Sequence, residues 1–288
     1  MVSAVDAGGT VTLGGWTSDP MTVHRMGYGA MRLTGHGIWG YPRDHGEAVA
    51  VLRRAVELGV DFVDTADSYG PGVSEEIIRA ALQPYDGVVV ATKGGLLRTG
   101  PHQWHVLGDP TYLRQCVEMS LRRLGVERID LYQLHRVDTR YPVAEQLGVL
   151  AEMQREGKIR HLGLSEVDVD TLHVARQHVE VVSVQNIYNV ANRQHDDVLA
   201  GCEERGVAFI PWYPIAGGDL VKPGGPVAAL AEQTGWTVAQ LCLAWLLRRS
   251  PWMLPIPGTG SVAHLDENVR SVEVTLSDEQ WAALDALG

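Results

Sequence analysis

Cysteine is scarce in this chain. Only Cys116, Cys202 and Cys242 occur, odd in number and far apart, and no Cys-x-x-Cys is present. That excludes a disulfide framework and a cysteine-built zinc site, and it suits a reducing compartment such as the cytoplasm. No metal is expected. Basic residues are also in short supply: 24 Lys and Arg against 35 Asp and Glu leave a net charge of −11. Nucleic acids and anionic membranes both demand a basic face, so neither is an expected partner. The pairs Arg53-Arg54 and Arg248-Arg249 lie in helical stretches and read as solvated. No apolar run approaches the length of a membrane span. Residues 1–9 have neither a cationic start nor an apolar core, so no signal peptide is expected.

What remains is an ordinary globular composition, 45% hydrophobic and 20% charged over 288 residues, enough for a single domain over residues 1–288. Its organisation is an alternation. Short β-branched runs at 22–26, 60–63, 88–92, 129–134, 159–164, 181–184, 207–210 and 253–256 read as strands. Helical patterns separate most of them, with stop signals at Gly59, Gly125, Gly157 and Gly206. Asp109-Pro110 reads as a cap followed by a first-turn proline, and Thr237 with Gln240 as a capping box. Thr10–Leu13 suggests an arm of a small N-terminal hairpin. Residues 32–43 and 96–108 read as loops. Eight strands alternating with helices fit an α/β chain that closes as a (β/α)8 TIM barrel with a short N-terminal β-hairpin cap. The rival is an open dinucleotide-binding sheet, which wants Gly-x-Gly-x-x-Gly after the first strand. Gly27-Tyr28-Gly29 begins that way, but Arg32 occupies the third glycine position.

The polar residues keep a phase. Asp64, Lys93, His135, Ser165, Gln185 and Trp212 each stand at or just past the C-terminal end of a successive strand. In a parallel barrel those ends share one mouth, where this fold keeps its active sites. Taken singly, Asp64 could cap a turn, Lys93 could be solvated and His135 could be a satisfied barrel-end histidine. Taken together with Tyr69, they point to acid–base chemistry, with a cation beside the phenol to draw its pKa down.

The ordered set Asp64-Thr65-Ala66-x-x-Tyr69-Gly70, Thr92-Lys93, Leu134-His135, Gly163-Leu164-Ser165, Gln185-Asn186-x-Tyr188-Asn189, Pro211-Trp212-x-Pro214, Ile256-Pro257-Gly258-Thr259 and Glu267-Asn268 resembles the aldo-keto reductases over nearly the whole chain. The resemblance implies an NADPH-dependent oxidoreductase acting on small carbonyl compounds, with NADH possible. It implies Asp64, Tyr69, Lys93 and His135 as a catalytic tetrad and Tyr69 as the proton donor. Ser165 and Gln185 would hold the nicotinamide carboxamide, with Trp212 stacked on the ring. Gly217, Gly218 and Leu220 would wrap the pyrophosphate, and Glu267 and Asn268 would meet the adenine. Gly29, Ala30, Met31, Tyr213, Pro214, Ile215, Ile256, Pro257, Thr259 and Ser261 complete the expected cofactor contacts. Asp64, Glu166, Gly258 and His264 are expected cofactor contacts too, and among them two departures stand out: Glu166 replaces a frequent Asn beside Ser165, and His264 and Gly258 replace an Arg and a Lys that can grip the 2′-phosphate. Tyr28, Trp39 and Trp104 are candidate walls of the substrate pocket. Two other classes fit the same barrel. One is an NADPH-binding module with a regulatory or sensing role and little turnover. The other is an isomerase or lyase using Lys93 as a Schiff base. Oligomeric state is not encoded in any feature of the sequence.

Overall fold

The computed structural model describes residues 4–216, 220, 224–225 and 227–288. The expected loop positions Gly217 and Gly218 lie outside the described residues. The chain enters through an antiparallel hairpin, β1 (Thr10–Leu13) with β2 (Met21–His24). Parallel strands then follow: β3 (Tyr28–Gly29), β4 (Phe62–Asp64), β5 (Val89–Gly94), β8 (Ile129–Leu134), β9 (Ile159–Ser165), β10 (Val181–Gln185) and β11 (Ala208–Phe209). They pair side by side in chain order, from β3 to β11. A second hairpin, β6 (Leu96–Gly100) with β7 (Gln103–Val106), rises between β5 and β8.

Helices connect the strands: α1 (His45–Glu57), α2 (Val73–Leu82), α3 (Pro110–Leu124), α4 (Val143–Arg155), α5 (Val169–Ala175), α6 (Asp196–Glu203), α7 (Ala228–Thr234), α8 (Val238–Arg249), α9 (Val262–Val269) and α10 (Asp278–Asp285). Their ends follow local chemistry. Asp109 accepts from the backbone of Thr111 and Tyr112, and Gly125 ends the helix in the left-handed region. Thr237 and Ser277 both make reciprocal capping boxes. Asp44 caps α1 by accepting from Glu47 N, without a reciprocal bond from the Glu47 side chain.

Three expectations change. The run 22–26 is not the first barrel strand; its first part is the return arm of the hairpin, and the barrel strand is Tyr28–Gly29, paired with Val63 and Asp64. Residues 96–108 are not a plain loop but carry a paired hairpin. The run 253–256 forms no regular strand, because Pro255 and Pro257 lack the N–H a ladder needs. It still closes the ring, accepting through the proline carbonyls on the β3 side and donating from Leu254 N on the β11 side. Gly27 N donates to Pro255 O at 3.0 Å, Gly29 N to Pro257 O at 3.3 Å, and Leu254 N to Phe209 O at 2.9 Å.

The barrel interior divides by height. At the hairpin end, Phe62, Ala91, Leu131, Val182, Ala208, Ile210, Leu254 and Ile256 pack against Val11, Leu13, Met21 and Val23 of the plug. The strand period of two then returns the inward face to a polar residue two positions on. Phe62 leads to Asp64, Ala91 to Lys93 and Leu131 to Gln133. The outward-facing set, including Val63, Val90, Tyr132 and Val184, packs under the helices in a separate core.

Candidate active site

The polar layer above the apolar plug centres on Asp64, which is 2% exposed. Its Oδ2 accepts from Lys93 Nζ at 2.7 Å. Its Oδ1 accepts from Gln185 Nε2 at 2.8 Å and Gln133 Nε2 at 3.2 Å. A buried carboxylate is tolerable only when paired and hydrogen-bonded, and here both oxygens are engaged. Lys93, fully buried, also donates to Thr65 O at 2.8 Å, and its ammonium lies 5.3 Å from the centre of the Tyr69 ring. Burial pushes the lysine pKa down, but Asp64 and Tyr69 together outweigh it, and the pKa is raised above its ordinary value.

Tyr69 follows β4 in a turn whose Gly70 has φ of +96°, and an added Cβ there would stand 2.4 Å from Val73 Cβ. The phenol pKa is raised, chiefly by burial; Lys93 opposes the shift without reversing it. The cation does draw the phenol down, as expected, but burial outweighs it. Lys93 limits the rise, and the phenol rests protonated. The imidazole of His135 lies 6.0 Å from the Tyr69 ring, edge to face, and its Nδ1 faces Ser68 Oγ at 3.4 Å. Burial, with Lys93 and Arg136 nearby, pushes the His135 pKa well below its usual value. His135 is thus a neutral hydrogen-bonding group at pH 7, not an acid.

These side chains open into one cavity of about 810 Å³. Asp64, Tyr69, His135, Ser165, Gln185 and Trp212 line it, as do Gly29, Met31, Tyr213, Pro214, Ile215, Ile256, Gly258, His264 and Trp104. Lys93 sits beneath it, touching Asp64. Other expected residues lie off the wall. Tyr28 is fully buried with its hydroxyl donating to Thr259 O, and Trp39 packs toward Arg98, so neither walls the substrate pocket. Ala30 and Leu220 are buried, and Pro257, Ser261 and Asn268 are likewise absent from the lining. Glu267 accepts from Thr237 Oγ1 at 2.6 Å.

Glu166 also turns away from the cavity lining. One of its oxygens accepts from Ile187 N and from Trp212 Nε1, both at 2.6 Å. The carboxylate therefore staples the ends of neighbouring strands and fixes the indole of Trp212. Gly258 has a backbone reason for its identity: a Cβ there would stand 2.7 Å from Gly29 O, and a Cβ on Gly29 would stand 2.6 Å from Ile256 O. A lysine at 258 would force the barrel seam apart.

Sequence reasoning missed Gln133, Arg136, Arg32 and Ile38. Gln133 was findable, since it stands two residues after inward-facing Leu131, as Lys93 stands after Ala91. Arg136 lines the cavity, and its Nη1 donates to Ser165 Oγ at 2.9 Å and to His135 O at 2.6 Å. Only its place after a strand-end histidine marked it. The polar groups on the cavity wall suit a dinucleotide. Ser165, Gln185 and Trp212 lie at the tetrad end, and His264 and exposed Arg32 offer donors to an anionic group elsewhere on the wall.

Residues 25–288 match the model of the aldo/keto reductase family. The chain is 54% identical over 288 residues to an uncharacterized oxidoreductase of Schizosaccharomyces pombe, covering 99% of this chain and 92% of that one. It is 41% identical over 279 residues to pyridoxine 4-dehydrogenase of Escherichia coli, covering 94% and 97%. Among solved structures, it resembles the holo form of an aldo-keto reductase from Bacillus halodurans at a TM-score of 0.82 and 27% identity, covering 96% and 95%. It also resembles an aldo-keto reductase from Klebsiella pneumoniae in complex with NADPH at a TM-score of 0.81 and 28% identity, covering 100% and 95%.

Proposed function

Because this chain belongs to the aldo/keto reductase family and is an NAD(P)H-dependent oxidoreductase of carbonyl compounds, we propose that it reduces an aldehyde to the alcohol with NADPH and that Tyr69 delivers the proton. The observation that carries this reading is the buried chain from Asp64 through Lys93 to the Tyr69 ring, 5.3 Å from the ammonium. When bound, NADPH supplies the hydride to the carbonyl carbon. The Tyr69 hydroxyl gives its proton to the carbonyl oxygen as charge develops there. Lys93, held charged by Asp64, stabilises the phenolate that remains, and solvent returns the proton afterwards. Neutral His135 hydrogen-bonds the same oxygen and fixes its approach. A lysine held protonated by a buried carboxylate is a poor Schiff-base amine, which disfavours the isomerase or lyase reading.

The substrate side of the cavity is apolar and aromatic at Leu96, Trp104, Val106 and Ile38, with one guanidinium, Arg136, beside His135. That combination suits an aromatic aldehyde with an oxygen anion next to the carbonyl, the pattern of a pyridoxal-type substrate. The likeness to a pyridoxine 4-dehydrogenase supports the same class. Two measurements test the reading. Tyr69→Phe should lower turnover by about a thousandfold while NADPH still binds; a variant that keeps wild-type turnover removes Tyr69 as donor. Pyridoxal and salicylaldehyde should surpass benzaldehyde in kcat/KM by about tenfold, and Arg136→Leu should erase that margin. Equal rates across the three aldehydes would refute the assigned class.

A further inference from the structure

Arg98 is buried to 7% exposure in β6 and contacts no carboxylate among the described residues. Its five N–H donors meet five backbone carbonyls. Nε donates to Gln103 O at 2.9 Å, Nη1 to Ile38 O and Ser68 O at 2.9 Å each, and Nη2 to Gly37 O at 2.9 Å and Gly100 O at 3.3 Å. The guanidinium carbon lies 3.6 Å from the centre of the Trp104 ring and 5.7 Å from that of Trp39. A cation buried without a counter-ion is costly, and carbonyl dipoles with two indole faces offset that cost only where the fork geometry is met in full.

The carbonyls come from three separate pieces of chain: the loop at 37–38, the β6–β7 hairpin, and the turn that carries Tyr69. The pieces also bond one another. Gly40 N donates to Gly70 O at 2.8 Å, Gly70 N to Ile38 O at 3.3 Å, and His102 N to Gly37 O at 3.1 Å. What Arg98 holds is then specific. Ser68 O is fixed one residue before the phenol, Ser68 Oγ faces His135 Nδ1, and Trp104 stands edge-on to Tyr69 at 6.4 Å.

We propose that Arg98 is a positioning residue for carbonyl reduction: its five-way fork registers the Trp104 wall against Tyr69 and His135, so that the substrate pocket is assembled before the carbonyl compound arrives. This role rests on the reading of Tyr69 and His135 given above. It predicts a division of effects, because the cofactor-side residues Ser165, Gln185 and Trp212 make no contact with the fork.

The test uses the full chain with NADPH and pyridoxal. Arg98→Lys keeps the charge and stem but cannot make five directed bonds. NADPH affinity, read from tryptophan quenching, should stay within about twofold of wild type, while kcat/KM falls about a hundredfold and the single-turnover hydride-transfer rate falls with it. Arg98→Ala should lose more, and millimolar guanidinium should restore part of its activity without changing Tyr69→Phe. Wild-type kcat/KM in Arg98→Lys overturns the role, as does a loss matched by an equal loss of NADPH affinity. Failure of both variants to bind NADPH makes Arg98 structural cement and also overturns it. If the wild type reduces no carbonyl, the functional reading itself fails, which is distinct from a wild type that turns over and an Arg98→Lys that matches it.

Discussion

The Lys93–Asp64 pair is the residue on which stability and chemistry meet. Asp64 is 2% exposed and Lys93 fully buried, so removing one partner strands the other. Lys93→Met should destabilise the fold by about 3–5 kcal/mol in chemical denaturation and abolish turnover. The double variant Asp64→Asn/Lys93→Met should regain most of the stability and none of the activity; recovery of activity would separate the pair from catalysis. His135 sets a pH dependence. Its folded pKa is depressed by burial, with Lys93 and Arg136 adding to the effect. Between the folded value and the unfolded value near ~6.5, the unfolded chain binds the extra proton. Stability is therefore full above that unfolded value and is lost as pH falls through the window below it. Lowering pH from about 7 to about 5 should depress the wild-type Tm more than that of His135→Gln. Parallel Tm curves would show that His135 is not the responsible group.

At the scale of elements, the ends of β9, β10 and β11 are held together by a side chain that the sequence offered as a cofactor contact. Glu166, at φ +55°, accepts from the Ile187 backbone and the Trp212 indole. Glu166→Ala leaves both donors short of a partner. It should cost about 1–3 kcal/mol and weaken NADPH binding by freeing Trp212, whereas Glu166→Gln should retain most of both. Thermal melting with NADPH titration checks this, and an alanine variant that binds NADPH normally would show that the staple is unimportant to the site. The β6–β7 hairpin shows why an element can be hidden. Its inward phase runs Leu96, Arg98, Gly100, so an arginine stands where alternation asks for an apolar residue. Only the carbonyls of distant loops make Arg98 acceptable inside.

For the whole molecule, the decisive feature is the seam. Among the described residues seven strands make the ladder, and the stretch 253–257 closes it, accepting at Pro255 O and Pro257 O, where the prolines cannot donate, and donating from Leu254 N to Phe209 O. Gly29 and Gly258 let the two backbones meet, since a Cβ on either would fall within 2.7 Å of a carbonyl oxygen. Gly258→Ala should lower stability by about 1–3 kcal/mol through this overpacking, measured as a fall in the denaturation midpoint. An unchanged midpoint would mean that the seam yields without cost.

Much of this was legible in the order of residues. Strand-end phase is a local property: Asp64, Lys93, His135, Ser165 and Gln185 follow apolar runs of predictable length, and a parallel barrel brings such ends to one rim. Helix ends at Gly125, Thr237 and Ser277 were equally local, because capping is settled within a few residues. Tertiary structure decided what depends on partners remote in the chain. It turned Tyr28 to Thr259, engaged Glu166 with Trp212 and let burial outweigh Lys93 at the phenol. It also set Arg98 among carbonyls up to 61 residues away. Solvent exposure and long-range hydrogen bonding arise only when the ring closes, and no periodicity in the chain encodes them.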